Sequence, residues 1–209
     1  METILLIAAE AREFSGLVRR LEGVTSLDWP VRYAREARHH GQRWLLVANG
    51  PGTSLARKAF ETAVARTRVD RVVSTGYCGA LDPSLAVADV FTGDLVTTDR
   101  VVTTAQEKAE LRSSTGASAV DMEAAAVAEC ANRRQIPFQA IRVVSDTARE
   151  DLPLDLNATR DATGHFSTMK ILSAALRHPM RGIPGLVTLA RNASKASESL
   201  GAYLAGCQL

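Results

Sequence analysis

Two carboxylates within residues 119–147 are the side chains best suited to acid/base chemistry. The segment reads AVDMEAAAVAECANRRQIPFQAIRVVSDT. Glu123 stands at the mouth of an Ala-rich run that predicts a helix. The apolar, β-branched run 138–144 predicts a buried parallel strand, and it ends in Ser145-Asp146. The segment therefore predicts a helix followed by a strand, with one carboxylate at the start of the helix and one at the end of the strand.

Polar groups at the carboxyl ends of parallel strands point into the ligand crevice of an α/β sheet. Two carboxylates from different elements that face one crevice suit general acid/base catalysis or the recognition of hydroxyl groups. A purely structural role is the alternative. In that interpretation Asp146 caps a following helix. Asp121 occupies the capping position of the Ala-rich helix, and Glu123 is an acid in the first turn of that helix.

The same segment resembles the signature of the purine nucleoside phosphorylase and methylthioadenosine/S-adenosylhomocysteine nucleosidase superfamily. The resemblance lies in VDMEAAAVAE and the following IPFQAIRVVSDTA. It implies a three-layer α/β/α fold with a central mixed, mostly parallel, twisted sheet. It further implies that Glu123 binds the ribose with Met122 packed against it, that Asp146 protonates the departing purine, and that Ser145 belongs to the substrate site.

The amino-terminal pattern predicts a buried strand over residues 3–9 and then an amphipathic helix with Phe14 and Leu17 on its apolar face. Acidic residues lie in the short connection. In the nucleosidases that the chain resembles, an acidic residue here orients the attacking water. Glu13 is the matching position, and Glu10 is the second candidate. A carboxylate at a helix start is the structural alternative.

Glycine-rich segments follow two further predicted strands. Residues 31–38 and 43–48 predict a hairpin, and the loop 49–52 is only a weak match to a dinucleotide-binding fingerprint, so a nicotinamide-dependent oxidoreductase is a remote alternative. A strand over 70–75 leads into GYCGAL, where glycines let backbone N–H groups approach a ligand. By resemblance, Gly76 and Tyr77 belong to the substrate site; a plain tight turn is the alternative.

The remaining segments predict further strands, loops and helices of the same fold. Residues 85–90 and 95–102 suggest strands, and Thr104 with Glu107 forms a capping-box pattern before a helix. Residues 148–164 predict a loop that shapes one wall of the site. Residues 165–209 predict basic helices, interrupted at prolines 179 and 184, whose outer face is solvated or contacts a membrane surface or a partner chain. The whole chain, 1–209, is expected to form one domain.

Composition excludes several classes of protein. The chain has 209 residues, a net charge of +2, 46% hydrophobic and 23% charged residues, as expected for a globular enzyme rather than a nucleic-acid-binding protein. Three widely spaced cysteines argue against a disulfide framework, and the four histidines form no metal-ligand pattern. We therefore expect a cytoplasmic protein with no metal and no cofactor, apart from phosphate as a co-substrate if it is a phosphorylase.

The choice between water and phosphate rests on departures from the family pattern. Phosphorylases of this superfamily carry a Ser in the glycine-rich turn and an Arg on the strand before it, whereas Tyr77 and Ser74 stand there in this sequence. This difference favours hydrolysis, with Asp146, Glu123 and Glu13 as the catalytic residues. Phosphorolysis remains an alternative, because Arg12 lies where it could serve an anion.

A second departure from the family pattern concerns the part of the site that would hold the purine base. The segment between Asp89 and Glu123 is shorter than in family members, which insert an aromatic loop there, so Tyr77 or Phe166 would have to stack on the base. A shortened wall could leave the pocket open to completion by a second subunit, and the family forms homodimers or larger assemblies. A non-catalytic protein that binds a nucleoside or attaches to a membrane surface is the remaining alternative. The base and the 5′ substituent of the nucleoside stay open.

Overall fold

One mixed sheet forms the centre of the molecule. The computed structural model describes residues 1–161, 163–177, 179–207 and 209, with the side chains of 177–181 left out, and it has nine strands within these residues. The strands are β1 (Thr3–Ala8), β2 (Thr25–Ser26), β3 (Tyr33–His39), β4 (Gln42–Ala48), β5 (Arg71–Ala80), β6 (Val90–Phe91), β7 (Leu95–Thr97), β8 (Ala119–Asp121) and β9 (Phe138–Asp146). The helices are α1 (Ser15–Val18), α2 (Thr53–Val64), α3 (Ala105–Thr115), α4 (Ala124–Arg133), α5 (Thr168–Arg177) and α6 (Pro179–Gly206). Two 3₁₀ turns cover Ala11–Phe14 and Asn157–Thr159.

The middle of the sheet is parallel, and antiparallel pairs join it to the strands on either side, although the marginal strands β7 and β8 run parallel to each other. The order is β2-β3-β4-β1-β5-β8-β7, and β9 pairs with β5 and β6. Strands β4, β1, β5 and β9 run parallel to one another, while β2, β3 and β6 run antiparallel to their neighbours. The far end of β5 also pairs antiparallel with β8. The four parallel strands therefore end at the same edge of the sheet, which is where a ligand crevice is expected.

Helices cover both faces of this sheet because the central strands are apolar on both sides. In β1, Ile4 and Leu6 pack with α1 and α6, whereas Leu5 and Ile7 pack with α2 and α4. Residues of alternating parity point to opposite faces of a strand, so a continuous apolar run fills two cores at once. The three-layer α/β/α fold expected from the sequence is confirmed.

Several local predictions are confirmed in detail. The predicted hairpin forms between β3 and β4, with His40 and Gly41 at positive φ values of 47° and 76° in a two-residue turn. The Thr104 side chain accepts a hydrogen bond from the Glu107 N–H, and Glu107 completes the predicted capping box at the start of α3. Both features depend on residues close in sequence, which explains why the sequence predicts them well.

Other predictions are corrected by long-range pairing. The strand expected over 70–75 continues through the glycine-rich segment to Ala80, because parallel β9 pairs with it along its whole length, with a bulge between Cys78 and Gly79. The strand expected over 85–90 is reduced to Val90–Phe91. The expected interruption at Pro184 is absent, since α6 continues through it.

Some predictions fall on residues outside the description. His178, one of the four histidines considered as metal ligands, is among them, and so are the side chains of Arg177 and Arg181 in the basic carboxyl-terminal helices. Among the described residues, no helix combines the length and the apolar character needed to cross a membrane.

Candidate active site

A cavity of about 280 Å³ opens at the carboxyl edge of the parallel strands. Seven of the eight residues expected at the site line it; they are Glu13, Tyr77, Met122, Glu123, Ser145, Asp146 and Phe166. They come from the loop after β1, from β5, from the connection between β8 and α4, from the end of β9 and from the loop before α5. The sheet thus brings together residues as far apart as 13 and 166, as the strand-end argument requires.

Asp146 is held at its strand end by two side chains. Its Oδ1 accepts a hydrogen bond from the Ser145 hydroxyl at 2.7 Å, and its Oδ2 accepts one from the Lys108 ammonium group at 2.6 Å. The side chain of Asp146 is 13% exposed and that of Lys108 is fully buried. This carboxyl group thus has a buried cationic partner on α3.

Glu123 directly precedes α4, and its side chain is buried against the amino-terminal end of α2. Its Oε1 accepts a hydrogen bond from the Gly52 N–H at 2.7 Å, so the glycine loop 49–52 orients this carboxylate. Burial, followed by the nearby Asp121, raises the pKa of Glu123 from 4.5 to about 7. Burial thus favours the neutral form of Glu123.

Glu13 lies against the backbone of β5. Its Oε1 accepts from the Glu10 N–H at 3.0 Å, and its Oε2 accepts from the Tyr77 N–H at 3.2 Å. Burial, with Glu123 as the next cause, raises the pKa of Glu13 from 4.5 to about 8. Gly76 has a φ of 132° and lies directly behind this carboxylate, where an added Cβ would overlap Oε2. Gly76 thus contacts Glu13 rather than lining the cavity.

We expect Gly76→Ala to destabilise the protein by roughly 2–4 kcal/mol, because the new methyl group overlaps a buried carboxylate at an unfavourable backbone angle. Denaturant unfolding measures this loss. Gly116→Ala is the matched control: Gly116 also has a positive φ, 73°, but nothing lies within 4 Å of an added Cβ. Equal losses in the two variants would show that the contact with Glu13 does not matter.

A buried ion pair beneath the cavity was not predicted. The Arg142 guanidinium on β9 donates to Asp121 Oδ2 at 3.0 and 2.5 Å and to the Ser74 hydroxyl at 2.8 Å. Burial works against its charge, but Asp121 and Glu123 outweigh burial and raise the pKa of Arg142. An arginine inside an otherwise apolar strand was the available signal, since buried charges are nearly always paired.

Arg142 of this ion pair lowers the pKa of Glu13 and of Glu123, but burial outweighs it and raises both. Three buried acids, Glu13, Asp121 and Glu123, surround one buried cation, Arg142. Full ionisation would leave a net negative charge in a region of low dielectric, so burial favours the neutral forms of Glu13 and Glu123. Asp121, the last residue of β8, also accepts from the Ala124 N–H at 2.8 Å at the start of α4, although Glu123 and not Asp121 occupies the capping position.

The outer wall of the cavity is apolar. Tyr77 turns its hydroxyl away to donate to the Ala193 carbonyl on α6 at 2.9 Å, and Phe166 lies on the opposite loop. Further apolar side chains come from the loop after β9 and from the two carboxyl-terminal helices; they are Leu152, Leu156, Ile171, Leu186 and Leu189. Although the 89–123 segment is short, this loop and these helices supply a wall around the mouth of the cavity.

Comparison with known proteins matches this architecture. A family model described as the Phosphorylase superfamily matches residues 88–177, which include Met122, Glu123, Ser145 and Asp146. The matched segment is less than half of the chain. A 5′-methylthioadenosine/S-adenosylhomocysteine nucleosidase from Shewanella sediminis is 28% identical over 145 residues, which cover 66% of this chain and 57% of that relative. The match to this curated relative thus spans little more than half of the relative's length.

Two solved structures share the fold of this chain. The nucleosidase of the same name from S. pneumoniae, solved with a transition-state inhibitor, superposes with a TM-score of 0.73 at 17% identity and covers 97% of this chain and 96% of that one. A futalosine hydrolase mutant from Helicobacter pylori gives a TM-score of 0.70 at 14% identity, covering 98% and 97%. At these identities the likeness concerns the fold.

Proposed function

We propose that this protein hydrolyses the N-ribosidic bond of a purine nucleoside of the adenine type. The observation that carries the proposal is the convergence of Glu13, Glu123 and Asp146 on one cavity of about 280 Å³. The resemblance to nucleosidases in sequence and fold supports the same reaction. Cleavage of this bond passes through an oxocarbenium-like sugar, so it requires a proton for the leaving base, a negative group near the sugar and a nucleophile on the opposite face.

Asp146 is the proposed general acid. It gives its proton to N7 of the purine as the C1′–N9 bond breaks and the electron pair of that bond passes to the purine. A positioned proton donor contributes on the order of 10²–10⁴ in rate. The Ser145 hydroxyl, 2.7 Å from Oδ1, helps to keep the carboxyl group facing the base.

Glu123 is the proposed ribose ligand. The Gly52 N–H occupies one lone pair of Oε1, and the remaining oxygen positions are available to ribose hydroxyl groups. In its ionised form Glu123 also stabilises the positive charge that develops on the sugar. Met122, which lines the cavity beside it, packs against the sugar ring.

Glu13 is the proposed base that orients water. The water oxygen attacks C1′ and one of its protons passes to the Glu13 carboxylate. The contact with the Tyr77 N–H favours water over phosphate, because the backbone donor that could hold an anion is already bound to a carboxylate. A phosphate would also meet two buried acids, Glu13 and Glu123, in a site of low dielectric.

Phosphorolysis is the second candidate, and one observation favours it. Arg12 lines the cavity next to Glu13, and a guanidinium group can bind phosphate through two hydrogen bonds.

A homodimer or larger assembly, a cytoplasmic location and a membrane contact through the basic carboxyl-terminal helices stay predictions.

The apolar outer wall favours a nucleoside with an uncharged, apolar 5′ substituent. Leu156, Ile171 and Leu189 would surround such a group, and burying each methylene contributes about 0.8 kcal/mol. Phe166 and the Tyr77 ring are the proposed contacts of the base, since aromatic rings stack on purines. We therefore expect 5′-methylthioadenosine to be cleaved in preference to adenosine.

The decisive test is base release with and without phosphate. Purified protein is incubated with 5′-methylthioadenosine, S-adenosylhomocysteine, adenosine and inosine, and the products are separated by chromatography. We expect adenine release from 5′-methylthioadenosine at the same rate in phosphate-free buffer and in millimolar phosphate. Formation of a sugar 1-phosphate that depends on phosphate would establish the phosphorylase instead. Calorimetric binding of a nucleoside without base release over hours would indicate a non-catalytic protein.

A further inference from the structure

The buried Lys108 contacts Asp146 from outside the cavity lining, and the reaction described above gives it no role. It is the only buried residue of α3 among those that the structure describes, and its side chain has no exposed surface. Placing an ammonium group there is costly, and an apolar residue would let α3 pack without that cost. A buried charge at this cost indicates that the ammonium group has a function.

The ammonium group has three hydrogen-bond acceptors. Lys108 Nζ lies 2.6 Å from Asp146 Oδ2, 2.7 Å from the Thr147 carbonyl oxygen and 3.0 Å from the Glu150 carbonyl oxygen. Three acceptors use all three N–H donors of a protonated lysine, whereas a neutral amine would turn a lone pair towards one of them. Lys108 is therefore a cation, and Asp146 is its only acidic partner among these acceptors.

The same contacts limit what Lys108 can do. With its three donors used, it has none left for a substrate, so any effect on the reaction must pass through Asp146. The two backbone carbonyls fix the ammonium group in place, and the ammonium group fixes Oδ2. On the other side, Asp146 packs against β5, where a Cβ added to Gly79 would lie 3.1 Å from Oδ2. Lys108, Ser145 and Gly79 together leave this carboxyl group little freedom to rotate.

We propose that Lys108 is a positioning residue that holds the Asp146 carboxyl group and stabilises the carboxylate formed when its proton passes to the purine. This inference rests on the proposed nucleosidase function. When the C1′–N9 bond breaks, the base takes the electron pair and the proton, and Asp146 becomes an anion in a largely buried site. A fixed cation at 2.6 Å stabilises that anion without reorganisation, which is how preorganised groups lower a barrier.

The alternative is a structural role. Lys108 bonds the loop at Thr147 and Glu150 to α3, and losing those bonds could distort the site whatever the function of Asp146. The two roles differ in one respect. If Lys108 acts through the proton of Asp146, replacing Lys108 has no effect on the rate once residue 146 has no proton to give. If Lys108 only holds the loop, replacing it lowers the rate in both backgrounds.

A double-mutant cycle separates the two roles. Adenine release from 5′-methylthioadenosine is measured for the wild type, Lys108→Met, Asp146→Asn and the double variant, with long incubations for the slow variants. We expect Lys108→Met to lower kcat about 10- to 100-fold with KM within about threefold, and to lower the kcat of Asp146→Asn by less than about threefold. Lys58→Met, an exposed lysine on α2, is the matched control and should have no effect.

A second variant covers the case in which Lys108→Met fails to fold. Lys108→Arg keeps a cation beside Asp146, so we expect it to retain at least about a tenth of the wild-type kcat and to show the same dependence on Asp146. Undiminished kcat in Lys108→Met, or an equal further loss in the Asp146→Asn background, would overturn the positioning role while the wild type still releases adenine. Absence of adenine release by the wild type would instead overturn the proposed function.

Discussion

Asp146→Asn is expected to lower kcat for adenine release about 10²–10⁴-fold and to leave nucleoside binding nearly intact. Asparagine has the size and shape of aspartic acid. Its Oδ1 can still accept from the Lys108 ammonium group, and its amide can still bond the Ser145 hydroxyl. The variant therefore keeps the geometry of the site and loses only the proton donor, so the effect should appear in kcat rather than in affinity.

Single-turnover kinetics and calorimetry together measure this effect. Calorimetry gives the affinity of the Asn variant for 5′-methylthioadenosine, and adenine is quantified after long incubation. Asp28→Asn serves as the control, because Asp28 is exposed and lies outside the cavity. Near-full activity of Asp146→Asn would contradict the assignment of the general acid, and loss of binding would assign Asp146 to substrate recognition.

Glu13→Gln is expected to have the second-largest effect, a loss of about 10²–10³-fold in kcat/KM. A base must be ionised to accept a proton from water, and the pKa of Glu13 is about 8 because the group is buried next to Glu123. The contribution of Glu13 to the wild-type rate should therefore increase with pH up to about pH 8. The Gln variant has no carboxylate to ionise, so its residual rate should lack the part of the rise that Glu13 causes. Its pH–rate profile, compared with that of Glu22→Gln on the exposed surface, tests this expectation.

The same carboxyl group predicts a dependence of stability on pH. The folded protein binds the Glu13 proton more tightly than the unfolded chain, because burial raises the pKa from 4.5 to about 8. This contribution to stability is present below pH 4.5 and is lost as pH rises to 8, by an amount on the order of 5 kcal/mol. Glu123 acts with the same sign up to about pH 7 and remains in the variant.

Unfolding by urea between pH 5 and 9 checks the sign. The free energy of unfolding of the wild type should fall more steeply with rising pH than that of Glu13→Gln. The slope is the diagnostic quantity, because the amide of Gln faces one backbone N–H that the carboxylate accepted, and this lowers the stability of the variant at every pH. Parallel curves for the two proteins would show that Glu13 is not the group responsible.

The sequence by itself determined the parallel core and the position of most site residues. The apolar runs at 3–8 and 138–144 are long enough for strands and apolar on both faces, which fits only strands covered by helices on both sides. Asp146 then had to lie at a strand end, and the motif order placed Glu123 at the start of a helix. These features depend on the periodicity and order of neighbouring residues, and such information is local.

Only the tertiary structure decided which charges meet. Lys108 lies on a helix with little apolar periodicity, and Asp146 follows it by 38 positions, so no spacing rule connects the two. Arg142 was visible as a charge inside a buried strand, but its partners Asp121 and Ser74 come from β8 and β5. Contacts between elements arise from the packing of the whole sheet, which a local pattern does not encode.

The protonation of the site likewise depends partly on the sequence and partly on the tertiary structure. The sequence supplies three acids, but burial and mutual repulsion set the pKa of Glu123 to about 7 and that of Glu13 to about 8. Likewise, the residues of the glycine-rich segment after 75 look like a turn and become strand because β9 pairs with them. Residue types fix which chemistry is available, whereas the low dielectric and the neighbours that folding brings together fix the charge each group carries.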